Sequence, residues 1–350
     1  MLKQIQKIVY QAAYLLQFHH LLRFLNRKRI LILMYHGFYN NPEQNQRWLE
    51  FGDGKHLSVE KFHWQLNYLK KHYQPISLDY LIYCYKNNKM WPDYSVILTI
   101  DDGFKSNYTY AYPILKEKQV PATIFLATDF IGTKKMFWLD QVEYALARAQ
   151  LGKYNLNLVG EEFSVNLQDN NSKLTLMGKI KQMIKTQPQE KRAEIIEQLE
   201  KGLKLSPEKE VPEIYQTLNW KEVQEMVNSR IITIGGHTQT HAITSKCNPE
   251  QLTKELTNSK KIIEAETKQK CTLFSYPNGT KDDFDAEVKA KLSELGYECA
   301  LTTICGLNDS RTNLFELQRL GVDGRNNNLE FVMDVAGLRC LLMKIKKFLM

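Results

Sequence analysis

Short apolar runs alternate with helical stretches along most of this chain, and this alternation limits its fold more than any other feature. Runs such as residues 30–35 and 96–100 have the length of buried strands, and apolar residues recur at helical spacing in the segments between such runs. Strands that alternate with helices form parallel sheets, because a helix is the usual crossover between parallel neighbours. The sequence therefore predicts an α/β fold whose sheet is either open or closed into a barrel.

The remaining elements follow from the same patterns. We expect further strands at 122–127, 231–234, 272–276 and 297–303, and helices at 221–230, 249–268 and 284–295. Residues 137–204 interrupt the alternation, since their periodicity is mainly helical and they carry one strand signal at 154–159. We interpret residues 137–218 as a mostly helical insertion.

Three polar clusters directly follow predicted strands, at the edge where parallel sheets build their active sites. They are residues 99–103 (TIDDG), 237–241 (HTQTH) and 274–279 (FSYPNG). Adjacent carboxylates such as those of Asp101 and Asp102 repel one another unless a cation neutralises one of them. Taken singly, each cluster also fits an ordinary turn or a structural pair of histidines.

Together, the first two clusters supply a ligand set for a catalytic metal. Asp102, His237 and His241 would provide three protein ligands and leave one position open for water or substrate. Asp101 would then take a proton from the attacking water. These residues alone point to metal-assisted hydrolysis of an amide or an ester.

The three clusters, in this order, resemble those of the polysaccharide deacetylase (NodB-homology) family of metal-dependent carbohydrate esterases, over about residues 31–322. The resemblance implies a distorted (β/α)7 barrel. It implies a divalent metal, zinc first, with cobalt, nickel or iron as alternatives. It also implies that Asp101 is the catalytic base and that the metal ligands are Asp102, His237 and His241.

The third cluster corresponds to a substrate-binding or oxyanion motif of this family, made by Tyr276, Pro277 and Asn278. The backbone N–H of Asn278 would help to hold the oxyanion. Many family members have an arginine where this chain has Ser275, and that arginine pairs with the base. We expect Arg319 to take over this role.

The usual late general-acid histidine has no counterpart, since no histidine follows His241. The early Tyr-His-Gly element, residues 35–37, resembles that of bacterial poly-N-acetylglucosamine deacetylases. First and last strands of a barrel are neighbours, so an acid from the first strand fits the geometry. We therefore expect His36 to protonate the leaving amine, with a packed strand-end histidine as the alternative.

The net charge of +8 belongs to the two ends of the chain. Residues 1–30 contain six Lys or Arg and no acid, and residues 339–350 contain four Lys or Arg and no acid. This distribution gives no indication of a nucleic-acid groove. We expect a basic amphipathic helix at 1–29, a barrel at 30–325 and a basic C-terminal helix at 326–350. The first helix would either pack on the barrel or lie on an anionic membrane surface.

The predicted function is removal of an acetyl group from an N-acetylated sugar or polysaccharide. The alternatives are an O-acetyl esterase or N-deformylase acting on a lipid-linked sugar, and a carbohydrate-binding pseudoenzyme. No clear signal peptide is present, so we expect a cytoplasmic protein or one peripheral to the inner membrane surface. The six scattered cysteines should be reduced thiols. Trp48 and Trp138 would either stack on sugar rings or pack in the core.

Overall fold

The computed structural model describes residues 2–40, 54–187, 191–206 and 210–349, so Trp48 lies outside the described residues. Its strands are β1 (Leu31–Tyr35), β2 (Gly37–Tyr39), β3 (His56–Ser58), β4 (Gln74–Pro75), β5 (Ser95–Ile100), β6 (Ala122–Leu126), β7 (Gly152–Leu158), β8 (Glu161–Leu167), β9 (Ile232–Gly236), β10 (Leu273–Ser275), β11 (Cys299–Leu301) and β12 (Leu320–Gly321).

The α-helices are α1 (Leu2–Leu15), α2 (Phe18–Leu25), α3 (Val59–His72), α4 (Leu78–Lys86), α5 (Tyr112–Lys118), α6 (Trp138–Arg148), α7 (Asn170–Thr186), α8 (Lys191–Gly202), α9 (Trp220–Asn228), α10 (Pro249–Thr267), α11 (Ala286–Glu294), α12 (Asn328–Val335) and α13 (Leu338–Leu349). Polar side chains cap the N-termini of several of these helices. Ser58 caps α3 by accepting a hydrogen bond from the Lys61 backbone, and Asn248 and Gln251 form a capping box at α10.

The main sheet is parallel and runs in the order β11-β10-β9-β6-β5-β1-β12, with β4 paired to the start of β5. Leu317 forms a parallel bridge to Leu301 of β11, and β12, three residues further on, pairs with β1. One short segment therefore joins both edges of the sheet. The predicted distorted (β/α)7 barrel is confirmed.

The strands alternate their side chains between two cores, as the pleat requires. Ile32 of β1 and Leu273 of β10 belong to one buried cluster, although three strands separate β1 from β10 in the sheet. This cluster therefore fills the inside of the barrel. Leu31 and Leu33 face the other cluster, which joins the sheet to the surrounding helices.

The insertion has a core of its own, built by α6, α7, α8 and an antiparallel hairpin of β7 and β8. The sequence indicated β7 but not β8, whose residues are mostly polar and face solvent on one side. Trp138 is buried in this core, with the Arg192 guanidinium 5.6 Å from its ring centre. Sugar stacking is therefore the wrong interpretation for Trp138, and core packing is the correct one.

Each end of the chain forms two helices where the sequence predicted one. Gln17, between α1 and α2, has φ 54°, and Gly337, between α12 and α13, has φ 104°. Such left-handed residues end a helix, and glycine adopts this conformation without strain. In the part of the chain that the structure describes, every helix is too short or too polar to cross a bilayer. All six cysteines are free, and the Sγ atoms of Cys305 and Cys340 lie 2.9 Å apart.

Candidate active site

A cavity of about 460 Å³ lies at the carboxyl ends of the barrel strands. The predicted site residues that line it are His36, Asp101, Asp102, His237, His241, Tyr276 and Asn278. Arg319 and Pro277 do not line the cavity. Arg319 is wholly buried behind Asp101, and Pro277 is buried within its turn.

Arg319 and Asp101 form a bidentate ion pair inside the barrel. Nη1 of Arg319 donates to Oδ1 of Asp101 at 2.8 Å, and Nη2 donates to Oδ2 at 2.7 Å. Such fork-to-fork pairing fixes the plane of the carboxylate as well as its position. Arg319 comes from the turn into β12 and Asp101 from the end of β5, so the pair connects two strands on either side of β1.

The guanidinium of Arg319 has a partner for each of its nitrogens. Its Nε donates to the carbonyl of Thr302 at 2.8 Å, its Nη1 to Oγ1 of Thr99 at 3.2 Å, and its Nη2 to Oγ of Ser275 at 2.9 Å. The Ser275 hydroxyl in turn donates to Oδ2 of Asp101 at 3.2 Å. Arg319 thus reaches Asp101 from another strand, and the small serine leaves room for it.

This network keeps Asp101 ionised in spite of its burial. Burial by itself would raise the pKa of Asp101, but the charge and hydrogen bonds of Arg319 outweigh it and hold the pKa below its ordinary value. The carboxylate therefore accepts protons only weakly at rest. It becomes a competent acceptor when a neighbouring water is acidified.

Asp102, His237 and His241 bring three ligand atoms to within 4.8 Å of one another. Nε2 of His237 lies 3.5 Å from Oδ1 of Asp102, and Nε2 of His241 lies 3.4 Å from the same oxygen. Two ligands of a tetrahedral zinc ion, each about 2.1 Å from it, are about 3.4 Å apart. The donor set and its spacing therefore fit a divalent metal.

Hydrogen bonding also selects the metal-binding form of His237. Its Nδ1 lies 2.7 Å from the carbonyl oxygen of Ser275, and because a carbonyl only accepts, Nδ1 carries the proton. The lone pair of Nε2 is then free for a metal. Burial, partly offset by Asp102, lowers the pKa of His241, which favours its neutral form as well.

Two of the three candidate ligands lie on strained backbone. Asp102 has φ 77° and His241 has φ 59°, both in the left-handed region that side chains other than glycine rarely adopt. The loop that carries His241 is held by Glu255 of α10, whose carboxylate accepts from the backbone N–H groups of Gln239 and Thr240 at 2.8 Å each. Helix α10 therefore fixes the loop that presents the ligand.

The third motif forms a tight turn beside the cavity. Asn278 has φ 60°, its carbonyl accepts from Oγ1 of Thr303 at 2.6 Å, and Tyr276 donates its hydroxyl to the Phe315 carbonyl at 3.0 Å. The backbone N–H of Tyr276 is already bonded to Leu301 at 3.0 Å, and Pro277 has none. Of the three predicted residues, Asn278 is therefore the one with a backbone N–H to offer an oxyanion.

His36 follows β1 directly and is half-buried in the cavity wall. Its carbonyl accepts from Nδ2 of Asn107 at 2.6 Å, which anchors the backbone at this point. The ring of His36 shares the cavity with Asp101, a placement that would let the two side chains act as acid and base on one substrate.

The sequence did not single out several residues of the cavity wall. Lys55 forms an ion pair with the buried Asp140 of α6, and α7 of the insertion contributes Lys181 and Lys185. Arg339 of α13 also lines the cavity and is paired with Asp334. Nothing in the local sequence marks the three lysines as residues of a cavity wall.

Comparisons with known proteins agree with this geometry. The model of the polysaccharide deacetylase family matches residues 89–300. The poly-β-1,6-N-acetyl-D-glucosamine N-deacetylase of Staphylococcus aureus (strain MSSA476) is 34% identical over 87 residues, which is 25% of this chain and 30% of that protein. The protein of the same name from Escherichia coli (strain K12) is 36% identical over 80 residues, which is 21% of this chain and 11% of that protein.

Solved structures extend the likeness to most of the fold. The Streptococcus pyogenes deacetylase PplD, solved with acetate, has a TM-score of 0.56 at 19% identity and covers 88% of this chain and 98% of its own. IcaB from Ammonifex degensii has a TM-score of 0.56 at 16% identity, with coverages of 88% and 97%. Identities this low show a common fold. Because the family match spans more than half of the chain, this protein belongs to the polysaccharide deacetylase family.

Proposed function

We propose that this protein is a metal-dependent deacetylase that hydrolyses the N-acetyl amide of a polymeric or oligomeric amino sugar. One observation carries the proposal: an ionised Asp101, held by Arg319, lies in one cavity with a three-ligand metal set. A pseudoenzyme would lack the base or a ligand, whereas this chain keeps all four residues. The names of the S. aureus and E. coli relatives make β-1,6-linked N-acetylglucosamine the first substrate to test.

The metal would be held by Asp102, His237 and His241, and we propose zinc, which suits a nitrogen and oxygen ligand set. When bound, it supplies charge that polarises the scissile carbonyl and acidifies water. Asp101 takes the proton of the attacking water, since its carboxylate is fixed in plane by Arg319. The backbone N–H of Asn278 donates to the oxyanion, and His36 protonates the leaving nitrogen.

The reaction itself is tested by acetate release from β-1,6-linked N-acetylglucosamine oligomers. We expect release by the zinc-loaded protein, loss on chelation, and recovery when zinc is added back. Asp101→Asn should lower kcat by about 10²–10⁴-fold without loss of metal, because it removes the base and keeps the ligands.

Asp282→Asn is the matched control, since Asp282 is an exposed acid outside the cavity, and it should leave kcat unchanged. Unchanged acetate release by Asp101→Asn would exclude Asp101 as the base. Release from an O-acetylated sugar but not from the amide would favour the esterase alternative.

The ion pair predicts a pH effect. Arg319 lowers the pKa of Asp101, so Arg319→Lys, which loses the bidentate fork, should let that pKa rise. Asp101 is then protonated at higher pH, and the acid limb of the kcat/KM profile should move upward. Ser275→Ala, which removes one hydrogen bond to the same carboxylate, should give a smaller shift in the same direction while perturbing the fold less. An acid limb that stays in place in both variants would contradict this account of the base.

The acid role of His36 predicts a change at the other end of the pH range. Without a proton donor, His36→Ala should lose the alkaline limb of the profile and have a kcat about 10²-fold lower. His63→Ala, on the exposed face of α3, serves as control and should keep both limbs of the bell-shaped pH–rate profile. A bell-shaped profile that is unchanged in His36→Ala would exclude His36 as the acid and leave it a packing role.

A further inference from the structure

The helices at the two ends of the chain expose an unusual amount of apolar surface. Of the large apolar side chains that are exposed in the described residues, all but four lie on α1, α2, the turn between them, or α13. Leu15 and Leu16 are each 80% exposed. We call the most exposed group the terminal apolar surface, and it consists of Ile8, Leu15, Leu16, Phe24, Leu25 and Met343.

These helices are nevertheless attached firmly to the fold, by different side chains. Tyr10 is buried and donates its hydroxyl to Asp334 of α12 at 2.7 Å, and Leu22 is buried in the same cluster. Asn26 donates to the Ala336 carbonyl at 3.0 Å. The exposed residues are therefore not the packing face of a loose helix. They form a second face, which points away from the barrel.

The α1–α2 segment and α13 both pack on α12. Phe18 and Leu342 contact one apolar cluster, built around Tyr10 and Met333. The apolar residues of the two chain ends thus lie on helices that share one apolar cluster.

The segments that carry this surface contain cations and no acids in their sequence, and two of the cations, Arg27 and Arg339, pair with Asp93 and Asp334 of other segments. Residues 1–30 and 339–350 contain ten Lys or Arg and no Asp or Glu. Lys7, Lys28 and Lys344 are exposed on the same segments that carry the apolar residues. Apolar side chains flanked by lysine and arginine, without acids, are typical of helices that lie in the headgroup region of anionic bilayers.

We propose that the terminal apolar surface binds anionic lipid bilayers, with its leucines and Phe24 inserted between headgroups and its cations on lipid phosphates. A second copy of the chain is a poorer occupant, because two such surfaces would bring like charges together. Helix α13, which carries Met343 of this surface, also reaches the candidate active site, since Arg339 at its start lines the cavity. The terminal apolar surface therefore includes a helix that also contributes a residue to the cavity wall.

The test is co-sedimentation of the full-length protein with vesicles of phosphatidylcholine alone and of equimolar phosphatidylcholine and phosphatidylglycerol. We expect binding to the anionic vesicles, weakened by salt, and little binding to phosphatidylcholine. Leu15→Ser with Leu16→Ser should lower the partition coefficient by about tenfold or more, because it removes two inserted side chains. Lys7→Gln with Lys28→Gln should weaken binding at low salt and make it less sensitive to salt.

Met90→Ser with Leu151→Ser is the matched control, since both residues are exposed apolar side chains outside the surface, at 70% and 60%. This variant should bind as the unmodified protein does. Absence of binding by the unmodified protein, or equal losses in the leucine variant and the control, would overturn the proposal. A dimer that the leucine variant dissociates, with no vesicle binding, would assign the surface to self-association instead. All readouts are independent of deacetylase activity.

Discussion

The ion pair between Arg319 and Asp101 is the interaction on which the rest of the site depends. Both side chains are almost fully buried, and removing one partner of such a pair leaves an uncompensated charge, at a cost of about 3–5 kcal/mol. The guanidinium also bonds to Thr99, Ser275 and Thr302, so it joins β5, β10 and the end of β11. The contact that keeps Asp101 ionised therefore also helps to close the barrel at the edge where the cavity lies.

The same arrangement gives two adjacent carboxylates different tasks. Asp101 faces Arg319 inside the barrel, while Asp102, on left-handed backbone, turns toward His237 and His241. Interaction with those two histidines outweighs the effect of burial and holds the pKa of Asp102 well below its ordinary value. Asp101 is thus paired with the Arg319 cation, while Asp102 faces the two histidines that would hold a metal with it, and these two positive charges would remove the repulsion between the adjacent acids.

Much of this arrangement could be predicted from the sequence, because strand ends in a parallel barrel meet at one edge. Asp102, His237 and His241 were identifiable from their positions after apolar runs, and Arg319 from the serine at position 275. The pairing of Lys55 with Asp140 was not, since it joins residues 85 positions apart through the fold of the insertion. The break at Gln17 was also missed, because apolar residues recur at helical spacing on both sides of it. Strand β8 was missed although Phe163, Val165 and Leu167 alternate with polar residues, as in a half-buried strand.

X-ray absorption spectroscopy of the zinc-loaded protein would test the proposed ligands Asp102, His237 and His241 most directly. We predict four or five ligands at about 2.0–2.2 Å, of which two are imidazole nitrogens and the others are oxygens. The His237→Ala variant should show fewer imidazole ligands. A sulfur ligand at about 2.3 Å, or an imidazole count that does not change in His237→Ala, would contradict the account.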